Sequence, residues 1–254
     1  MSKTILITGA ASGIGFGIAQ HLATLGHTVI IADLNSVAAQ QACATISEQG
    51  GSARAICLDV CDYAAVAQLP ELLSPYKVDV LINNAGIQHV SRLEDFPAEK
   101  WQQLIDVMLV APALLTQTFL PHMRAQNYGR IINVGSIHSV VASPFKSAYV
   151  AAKHGLVGFA KTLALETGDV DVTINTLCPA YVKTPLVEQQ IAAQAATNKM
   201  SEEDVINKIM LEPMPKKAFI DVQELAETTA FLMSNAARNI TAQNIVLDGG
   251  WTAR

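Results

Sequence analysis

The sequence is short of positive charge, of paired cysteines and of long apolar runs, and each shortage excludes a class of protein. Lys and Arg number 17 against 22 for Asp and Glu, a formal charge of −5. This balance argues against a nucleic-acid partner, because a nucleic-acid-binding surface needs clustered positive charge. The longest notable apolar stretch, residues 107–115, contains Pro112 and is shorter than the roughly 18 residues of a membrane-spanning helix. Residues 1–4 lead directly into a strand-like segment, so we expect no signal peptide and a cytoplasmic protein without a membrane partner.

The four cysteines form no Cys-x-x-Cys pair and have no histidine nearby at zinc-ligand spacing. Cys57 and Cys61 stand four residues apart, which would suit a metal clip. Small buried thiols in a reducing cytosol are the simpler interpretation of these two and of Cys43 and Cys178. We therefore expect neither a disulfide nor a metal site.

What the sequence does contain is a regular alternation of short apolar runs and longer helical patterns. Half of the residues are apolar and 15% are charged, which suits a buried core and excludes general disorder. The strand candidates are residues 4–8, 28–32, 53–58, 78–82, 130–134, 172–177 and 245–247. Because these runs are apolar throughout and helices separate them, they predict an α/β fold with a doubly wound parallel sheet of the Rossmann type.

One segment departs from the alternation, and no linker, repeat or low-complexity tract divides the chain, so residues 1–254 are predicted to form a single domain. Residues 185–215 hold two helical pieces, the second opened by Ser201-Glu202-Glu203-Asp204, which resembles a capping box. An insertion of this length between the last two strands often forms an active-site lid. A surface hairpin without a function is the alternative.

A glycine-rich loop follows the first predicted strand, in Thr8-Gly9-Ala10-Ala11-Ser12-Gly13-Ile14-Gly15. Glycines here allow a tight turn and let a pyrophosphate approach the backbone, and the helix that follows presents its unpaired N–H groups to that anion. Its position between a first strand and a first helix predicts a dinucleotide site. The candidate contacts in this loop are Thr8, Gly9, Ser12, Gly13, Ile14 and Gly15.

Two acidic residues at strand ends bear on the choice of dinucleotide. Asp33 ends the second predicted strand, 20 residues beyond Gly13, where a carboxylate accepts hydrogen bonds from the adenosine ribose and repels a 2′-phosphate. The next residue is Leu34 rather than an arginine, so the sequence favours NAD over NADP. Asp59, after the third strand, could meet the adenine amino group. A helix cap or a solvated turn is the alternative for Asp33.

Three polar residues form a candidate catalytic group. Tyr149 and Lys153 stand four residues apart in a helical pattern that extends to about residue 166, which puts the phenol and the ammonium on one helical face. A tyrosine near pKa 10 is a poor base at neutral pH, and an adjacent ammonium stabilises its phenolate. Ser136 follows the strand 130–134 at the sheet edge where ligands bind. Without further support, the Tyr149–Lys153 pair would suit an amphipathic surface equally well.

Together these residues closely resemble the short-chain dehydrogenase/reductase family. The motifs Thr8-Gly9-x-x-x-Gly13-x-Gly15, Asn83-Asn84-Ala85-Gly86, Ser136 and Tyr149-x-x-x-Lys153 match it in order and spacing along essentially the whole chain. The resemblance implies hydride transfer between an alcohol carbon and NAD, with Tyr149 as acid/base, Lys153 lowering its pKa and holding the nicotinamide ribose, and Ser136 steadying the substrate oxygen. It also implies cofactor contacts from Asp33, Asp59, Val60, Asn83, Ala85, Gly86, Tyr149, Lys153, Pro179, Val182 and Thr184.

One member of the family pattern is missing. The family places an asparagine seven residues after a tryptophan in the helix before residue 130, and that asparagine helps to hold a water in the proton relay. Here Trp101 is followed at that spacing by Met108, whose thioether is at best a weak acceptor. Our hypothesis is that the main-chain carbonyl of residue 108 still holds the water.

Three segments, residues 136–155, 184–191 and 248–254, resemble the bacterial D-3-hydroxybutyrate dehydrogenase branch of the family. The implied reaction interconverts (R)-3-hydroxybutyrate and acetoacetate with NAD, and relatives are usually homotetramers. The substrate carboxylate needs an anion clamp near the reacting carbon, which the resemblance assigns to Gln88, His138, Lys146 and Gln190. Solvated loop or surface positions are the alternative for Gln88, Gln190 and Lys146, and a purely structural hydrogen bond is the alternative for His138.

Two other functions fit parts of the pattern. A 3-oxoacyl thioester reductase of the same family would mostly use NADPH and need a basic surface, against which Asp33, Lys146 and the acidic balance argue. A nucleotide sensor without catalysis has only Met108 in its favour. Such a sensor would leave the grouping of Ser136, Tyr149 and Lys153 without a reason.

Overall fold

Seven parallel strands form one sheet in the order β3-β2-β1-β4-β5-β6-β7. The computed structural model describes residues 2–253; Met1 and Arg254, the ends of the predicted domain, lie outside the described residues, as do the side chains of Leu186 and Thr197. The strands are β1 (Thr4–Thr8), β2 (Thr28–Asp33), β3 (Ser52–Cys57), β4 (Val80–Asn83), β5 (Gly129–Val134), β6 (Val172–Pro179) and β7 (Asn244–Leu247). The predicted doubly wound parallel sheet is confirmed.

Helices cover both faces of this sheet, which explains why β4, β5 and β6 are buried at every position. They are α1 (Gly13–Thr24), α2 (Ser36–Glu48), α3 (Tyr63–Leu72), α4 (Ala98–Ile105), α5 (Ala111–Ala125), α6 (Ser147–Glu166), α7 (Pro185–Asn198), α8 (Glu202–Val205) and α9 (Val222–Met233). In β1, Ile5 and Ile7 face the layer of α1, α2 and α9. Leu6 faces the layer of α3, α5 and α6.

Predicted and observed strand bounds differ by at most two residues. Differences of two residues occur at the end of β6 and at the start of β4, which begins at Val80 rather than at residue 78. Val78 is buried in the core but lies outside the β4 hydrogen-bond ladder, which begins at Val80. The prediction included it because it is apolar. β6 in turn runs on to Pro179, because that residue still lies opposite Leu247 of β7.

The connection order brings the ends of distant segments to one place. The chain leaves β1 toward β2 and β3, and then returns to β4 on the other side of β1. At such a reversal the connections diverge to opposite faces and leave a crevice at the carboxyl ends of the strands. Thr8, Asp33, Asn83 and Val134 end four of these strands, so this edge is where the predicted site residues meet.

Helices α4 and α5 form one continuous helical stretch, residues 98–125, joined by a π-helical turn at Asp106–Val110. By length and composition alone this stretch is apolar enough to cross a membrane. In the fold its residues Leu115, Phe119 and Met123 lie in the core against the sheet, and this packing accounts for its apolar character. Pro112 lies in the first turn of α5.

The segment predicted as a lid contains α7, α8 and a π-helical turn at Ile206–Met210. Ser201 caps α8, as its Oγ accepts a hydrogen bond from the Asp204 backbone N–H at 3.1 Å. Ile191, Val205 and Met210 form a small apolar cluster of their own. Part of the segment therefore packs on itself, while Leu211 and Met214 near its end belong to the main core.

Candidate active site

A cleft of about 760 Å³ opens at the carboxyl ends of the strands, within the size range of small-molecule and cofactor sites. Twelve predicted cofactor residues line it: Gly9, Ser12, Gly13, Ile14, Asp33, Asp59, Val60, Ala85, Gly86, Tyr149, Lys153 and Thr184. Other lining residues were not predicted as cofactor contacts, among them Leu58, Cys61, Asn84, Ile87, Asp106, Val107 and Pro185. No motif in the sequence indicated that these residues would line the cleft, except that Asn84 belongs to the motif Asn83-Asn84-Ala85-Gly86.

The glycine-rich loop has the shape of an anion cradle. Gly9 and Gly13 adopt φ values of +61° and +57°, the left-handed region that glycine tolerates best. A Cβ on Gly15 would lie 2.5 Å from Asn84 Nδ2 and 2.7 Å from the Gly9 carbonyl oxygen. Ser12, which precedes α1, makes no side-chain capping hydrogen bond. The first N–H groups of α1 are thus left uncapped, as a bound pyrophosphate requires.

Five predicted cofactor residues lie behind the cleft wall rather than on it: Thr8, Gly15, Asn83, Pro179 and Val182. Thr8 Oγ1 accepts hydrogen bonds from the backbone N–H groups of Asn84 and Ala85, each at 3.1 Å. Asn84 Nδ2 donates to the carbonyl oxygens of Thr8 and Gly9, at 2.9 and 2.8 Å. Thr8 and Asn84 thus join β1 to the loop after β4 and fix this part of the cleft wall.

Asp33 ties the glycine-rich loop to the end of β2. One carboxylate oxygen accepts a hydrogen bond from the Ala11 N–H and the other from the Asn35 N–H, each at 3.0 Å. Asp59 is fixed similarly, accepting from the Cys61 N–H at 2.9 Å. Lys153 is the one lysine or arginine among the described residues that line the cleft. The part of the cleft lined by Asp33 and Asp59 is therefore acidic.

Tyr149 and Lys153 lie on one face of α6, with Lys153 Nζ 5.7 Å from the centre of the Tyr149 ring. Lys153 Nζ donates a hydrogen bond to the Val134 carbonyl oxygen at 2.7 Å, which anchors the ammonium to the end of β5. Ser136 follows β5 and begins a short 3₁₀ turn at Ile137–Ser139. The structure thus brings together the three residues predicted to be catalytic.

Burial dominates the ionisation of this group. It raises the pKa of Tyr149, and a hydrogen bond with Ser136 acts in the opposite direction. Burial also lowers the pKa of Lys153 to about 8, so the ammonium is still mostly protonated at pH 7. The lowering of the Tyr149 pKa that the family resemblance implies is therefore not produced by these side chains alone.

His138 is buried beside Ser136 and is engaged at both ring nitrogens. Its Nδ1 lies 3.3 Å from Ser136 Oγ, and its Nε2 lies 2.7 Å from Ser143 Oγ. Burial, together with the nearby positive charge of Lys146, lowers the pKa of His138 to about 4. The imidazole is neutral at physiological pH. The sequence contains no signal for Ser143, because its contact depends on how the loop before α6 folds back.

Aromatic rings extend the site away from Tyr149. Trp251 stacks on Tyr181 at 6.1 Å between ring centres and meets His138 edge-on at 6.2 Å. Lys146 Nζ lies 5.9 Å from the centre of the Tyr181 ring, and burial lowers the pKa of Lys146. The structure therefore brings Lys146 and His138, two of the four predicted clamp residues, to one aromatic wall.

The other two predicted clamp residues lie on separate segments. Gln88 lies in the loop after β4, where its Oε1 accepts a hydrogen bond from the His89 N–H at 3.1 Å. Its amide nitrogen is the group it can offer as a donor. Gln190 is half-buried on α7, in the segment predicted to be a lid.

The carboxyl-terminal turn that carries Trp251 is held by Asp248. Its carboxylate accepts hydrogen bonds from the Thr252 N–H and Oγ1, both at 2.7 Å, and from the Gly250 N–H at 2.8 Å. Burial would raise the pKa of Asp248, but these hydrogen bonds outweigh it and the pKa is lowered. Trp251 thus contacts Tyr181 of the same chain.

Met108 lies in the π-helical turn and is buried against Ala148 and Ala152, on the turn of α6 that carries Tyr149 and Lys153. Pro112, four residues later, has no N–H and cannot donate the usual helical hydrogen bond to the Met108 carbonyl.

Within residues 2–253, no group of three or more His, Cys, Asp or Glu side chains is placed to hold a metal ion. The four cysteines are free thiols.

Comparison with known proteins agrees with this geometry. Residues 3–195 match the family described as short chain dehydrogenase. The chain is 42% identical to a D-beta-hydroxybutyrate dehydrogenase of Rhizobium meliloti over the full length of both. It is 41% identical to one of Cupriavidus necator, over 99% of this chain and 98% of that one. The structure of an actinorhodin polyketide ketoreductase variant with NADPH superposes with a TM-score of 0.94 at 28% identity, covering 100% of this chain and 98% of that one. The chain therefore belongs to the short-chain dehydrogenase family.

Proposed function

We propose that this protein interconverts (R)-3-hydroxybutyrate and acetoacetate by hydride transfer with NAD. The observation that carries the proposal is the convergence of Ser136, Tyr149 and Lys153 at the end of β5, beside an aromatic wall with the cation Lys146. The full-length similarity to two proteins named D-beta-hydroxybutyrate dehydrogenase supports this choice of substrate.

In this mechanism Tyr149 Oη takes the proton of the substrate hydroxyl, and Ser136 Oγ–H donates a hydrogen bond to the same oxygen. The chemistry that NAD would supply when bound is a hydride acceptor for C3 and a positive charge that favours the Tyr149 phenolate. General-base action of this kind contributes about 10²–10⁴ in rate. Holding two reactants in place contributes up to about 7–11 kcal/mol, and is the larger share. Lys153, anchored on Val134, holds its ammonium beside Tyr149 and would contact the cofactor ribose.

The carboxylate of the substrate would be held by a clamp around Lys146, which supplies the positive charge. Gln88 and Gln190 would add neutral donors, Gln88 through its amide nitrogen. His138 is the fourth predicted member of this clamp. Since both of its ring nitrogens already have partners within the protein, it would have to exchange Ser143 for the carboxylate to serve there.

NAD rather than NADP is the proposed cofactor, because the adenosine side of the cleft is acidic. Asp33 presents a fixed carboxylate where a 2′-phosphate would lie, and Leu34 beside it is apolar. The structural relative named above contains NADPH. Because that relative contains NADPH, the proposal of NAD depends on Asp33 and Leu34 of this chain and not on the structural similarity.

Without the family's asparagine, a backbone group would have to hold the water of the proton relay. We propose that the Met108 carbonyl, which receives no hydrogen bond from the Pro112 position, holds the relay water. Replacing Met108 with asparagine should then change turnover little at fixed pH. A large gain in turnover would contradict this assignment.

We further propose that residues 1–254 act as one catalytic domain, that residues 185–215 close over the substrate as a lid, and that the protein is a cytoplasmic homotetramer. The second point is supported by the apolar cluster of Ile191, Val205 and Met210, which packs apart from the main core. Leu211 and Met214, which belong to that core, would stay fixed when the rest of the segment moves. Light scattering of the purified protein measures the oligomeric state.

The decisive experiment is an initial-rate comparison of (R)- and (S)-3-hydroxybutyrate with NAD and with NADP. We expect NADH to form from the (R)-acid and NAD, with the other three combinations far slower. Faster reduction of a 3-oxoacyl thioester with NADPH would favour the alternative reductase. If no substrate changes the NADH absorbance, the protein is a nucleotide-binding module without this catalysis.

A further inference from the structure

A chain of hydrogen bonds leads from Ser143 through the His138 ring to Ser136. Ser143 Oγ lies 2.7 Å from His138 Nε2, and His138 Nδ1 lies 3.3 Å from Ser136 Oγ. The backbone N–H of His138 also donates to Ser136 Oγ, at 3.2 Å. All three residues belong to the loop between β5 and α6, and Ser136 and His138 are buried.

The lone pairs of Ser136 set a condition on the histidine. A serine hydroxyl has two acceptor lone pairs and one proton, and the His138 backbone N–H occupies one of the lone pairs. If His138 carries its proton on Nδ1, that N–H occupies the other lone pair. The single Ser136 proton is then left to point outward, toward Tyr149 and the substrate oxygen.

The opposite tautomer would undo this arrangement. With the proton on Nε2, the Nδ1 lone pair would face Ser136 and draw the serine proton away from the substrate oxygen. A ring nitrogen without a proton accepts a hydrogen bond, and a hydroxyl can donate one. Ser143 Oγ lies 2.7 Å from Nε2 and can supply the donor that the productive tautomer requires, in which Nε2 is the acceptor.

We propose that His138 and Ser143 are positioning residues: Ser143 selects the Nδ1–H tautomer of His138, and His138 thereby directs the Ser136 proton at the oxygen of the reacting carbon. This inference rests on the proposed function for the identity of that oxygen. It differs from the carboxylate clamp, in which His138 would donate from Nε2 to the far end of the substrate. The lowered pKa of His138 agrees with a ring that carries one proton at neutral pH.

The tautomer is measured directly by ¹⁵N NMR of protein labelled at histidine, with the His138 signals assigned by their loss in His138→Asn. We expect a protonated Nδ1 and an unprotonated Nε2 between pH 6 and 8, and a shift toward the other tautomer in Ser143→Ala. Ser143→Thr keeps a hydroxyl and should restore the wild-type pattern. A protonated Nε2 in the wild-type protein would overturn the proposal.

Two substitutions of His138 separate positioning from clamping, because asparagine places its amide near the Nδ1 position and glutamine places it near Nε2. We expect His138→Asn to keep kcat within about fivefold of wild type. His138→Gln should lose roughly 10- to 100-fold, both with acetoacetate and with its ethyl ester, which has no carboxylate. If instead glutamine preserves activity and asparagine only raises KM for the acid, His138 belongs to the clamp.

These outcomes are distinguishable from a failure of the proposed function. A wild-type protein that leaves acetoacetate unreduced would contradict the proposed substrate, while the NMR result would still decide the tautomer. NADH binding followed by fluorescence and a thermal melt shows whether each variant is folded. If a His138 variant does not fold, the Ser143→Ala and Ser143→Thr pair, read by NMR and kcat, decides the proposal.

Discussion

The two halves of the cleft are built in different ways. On the proposed cofactor side, the glycine-rich loop after β1, the end of β2 and the loop after β4 are joined by hydrogen bonds in which the side chains of Thr8, Asp33 and Asn84 pair with backbone groups. On the substrate side, the surface consists of side chains from segments far apart in sequence, such as His138, Tyr181 and Trp251.

This difference bears on what each half can change. The cofactor side depends on backbone conformations that few residues tolerate, so most substitutions there should damage the cradle itself. The substrate side depends on which side chains converge, so single changes should alter KM or kcat while the dinucleotide still binds.

Replacing Tyr149 with phenylalanine should have the largest effect on turnover. The variant keeps the ring and its packing but loses the group that exchanges the proton, so we expect kcat to fall by about 10³ or more. The Kd for NADH, measured by fluorescence, should stay within a factor of about two. Turnover near the wild-type level would show that Tyr149 is not the acid/base. Loss of NADH binding would contradict the separation of the two halves of the cleft.

Replacing Gly15 with alanine should impair the opposite half. The new Cβ would lie under 3 Å from Asn84 Nδ2 and from the Gly9 carbonyl oxygen, so the cradle must shift, and we expect dinucleotide affinity to fall by about 10² or more. Gly158, exposed on α6 with no atom near its Cβ position, is the matched control. Gly158→Ala should keep affinity and raise stability by about 0.5–1 kcal/mol. Unchanged affinity in Gly15→Ala would contradict the cradle.

The buried Lys153 ammonium should make stability depend on pH. Its pKa is about 8 in the folded protein against 10.5 as a free lysine, so the unfolded chain binds more protons between these values. The free energy of unfolding should therefore rise with pH across this window, by up to about 3 kcal/mol, and the burial cost is fully present below pH 8. Urea unfolding at several pH values without added dinucleotide measures this. In Lys153→Met the rise should be smaller by that amount, and equal slopes in the two proteins would refute the prediction.

Replacing Lys146 with alanine should act on the substrate side alone. Losing a charge-assisted hydrogen bond is worth about 1.5–3 kcal/mol, so KM for acetoacetate should rise by roughly 10- to 100-fold, with little change for the ethyl ester. Because burial lowers the pKa of Lys146, the wild-type KM should begin to rise at a lower pH than for an ordinary lysine. Lys146→Arg stays charged and should abolish that rise. An unchanged KM in Lys146→Ala would contradict the clamp.

Met108 and His138 show where prediction from sequence reached its limit. The sequence identified Met108 as a departure from the family pattern, but the π-helical turn around it and its packing against α6 depend on tertiary contacts. The family resemblance assigned His138 to the clamp. Its contact with Ser143 arises from the path of the loop between them, which no local pattern encodes.

The amino-acid sequence by itself determined the parallel sheet, the order of its motifs and the cofactor cradle, because these follow from local periodicity, glycine conformation and the spacing of a few residues. Tertiary structure alone decided how Tyr181, Trp251 and Lys146 come together, and how burial shifts the ionisation of Tyr149 and Lys153. The physical reason is that burial and side-chain contact depend on residues from separate segments. No single stretch of sequence contains that information.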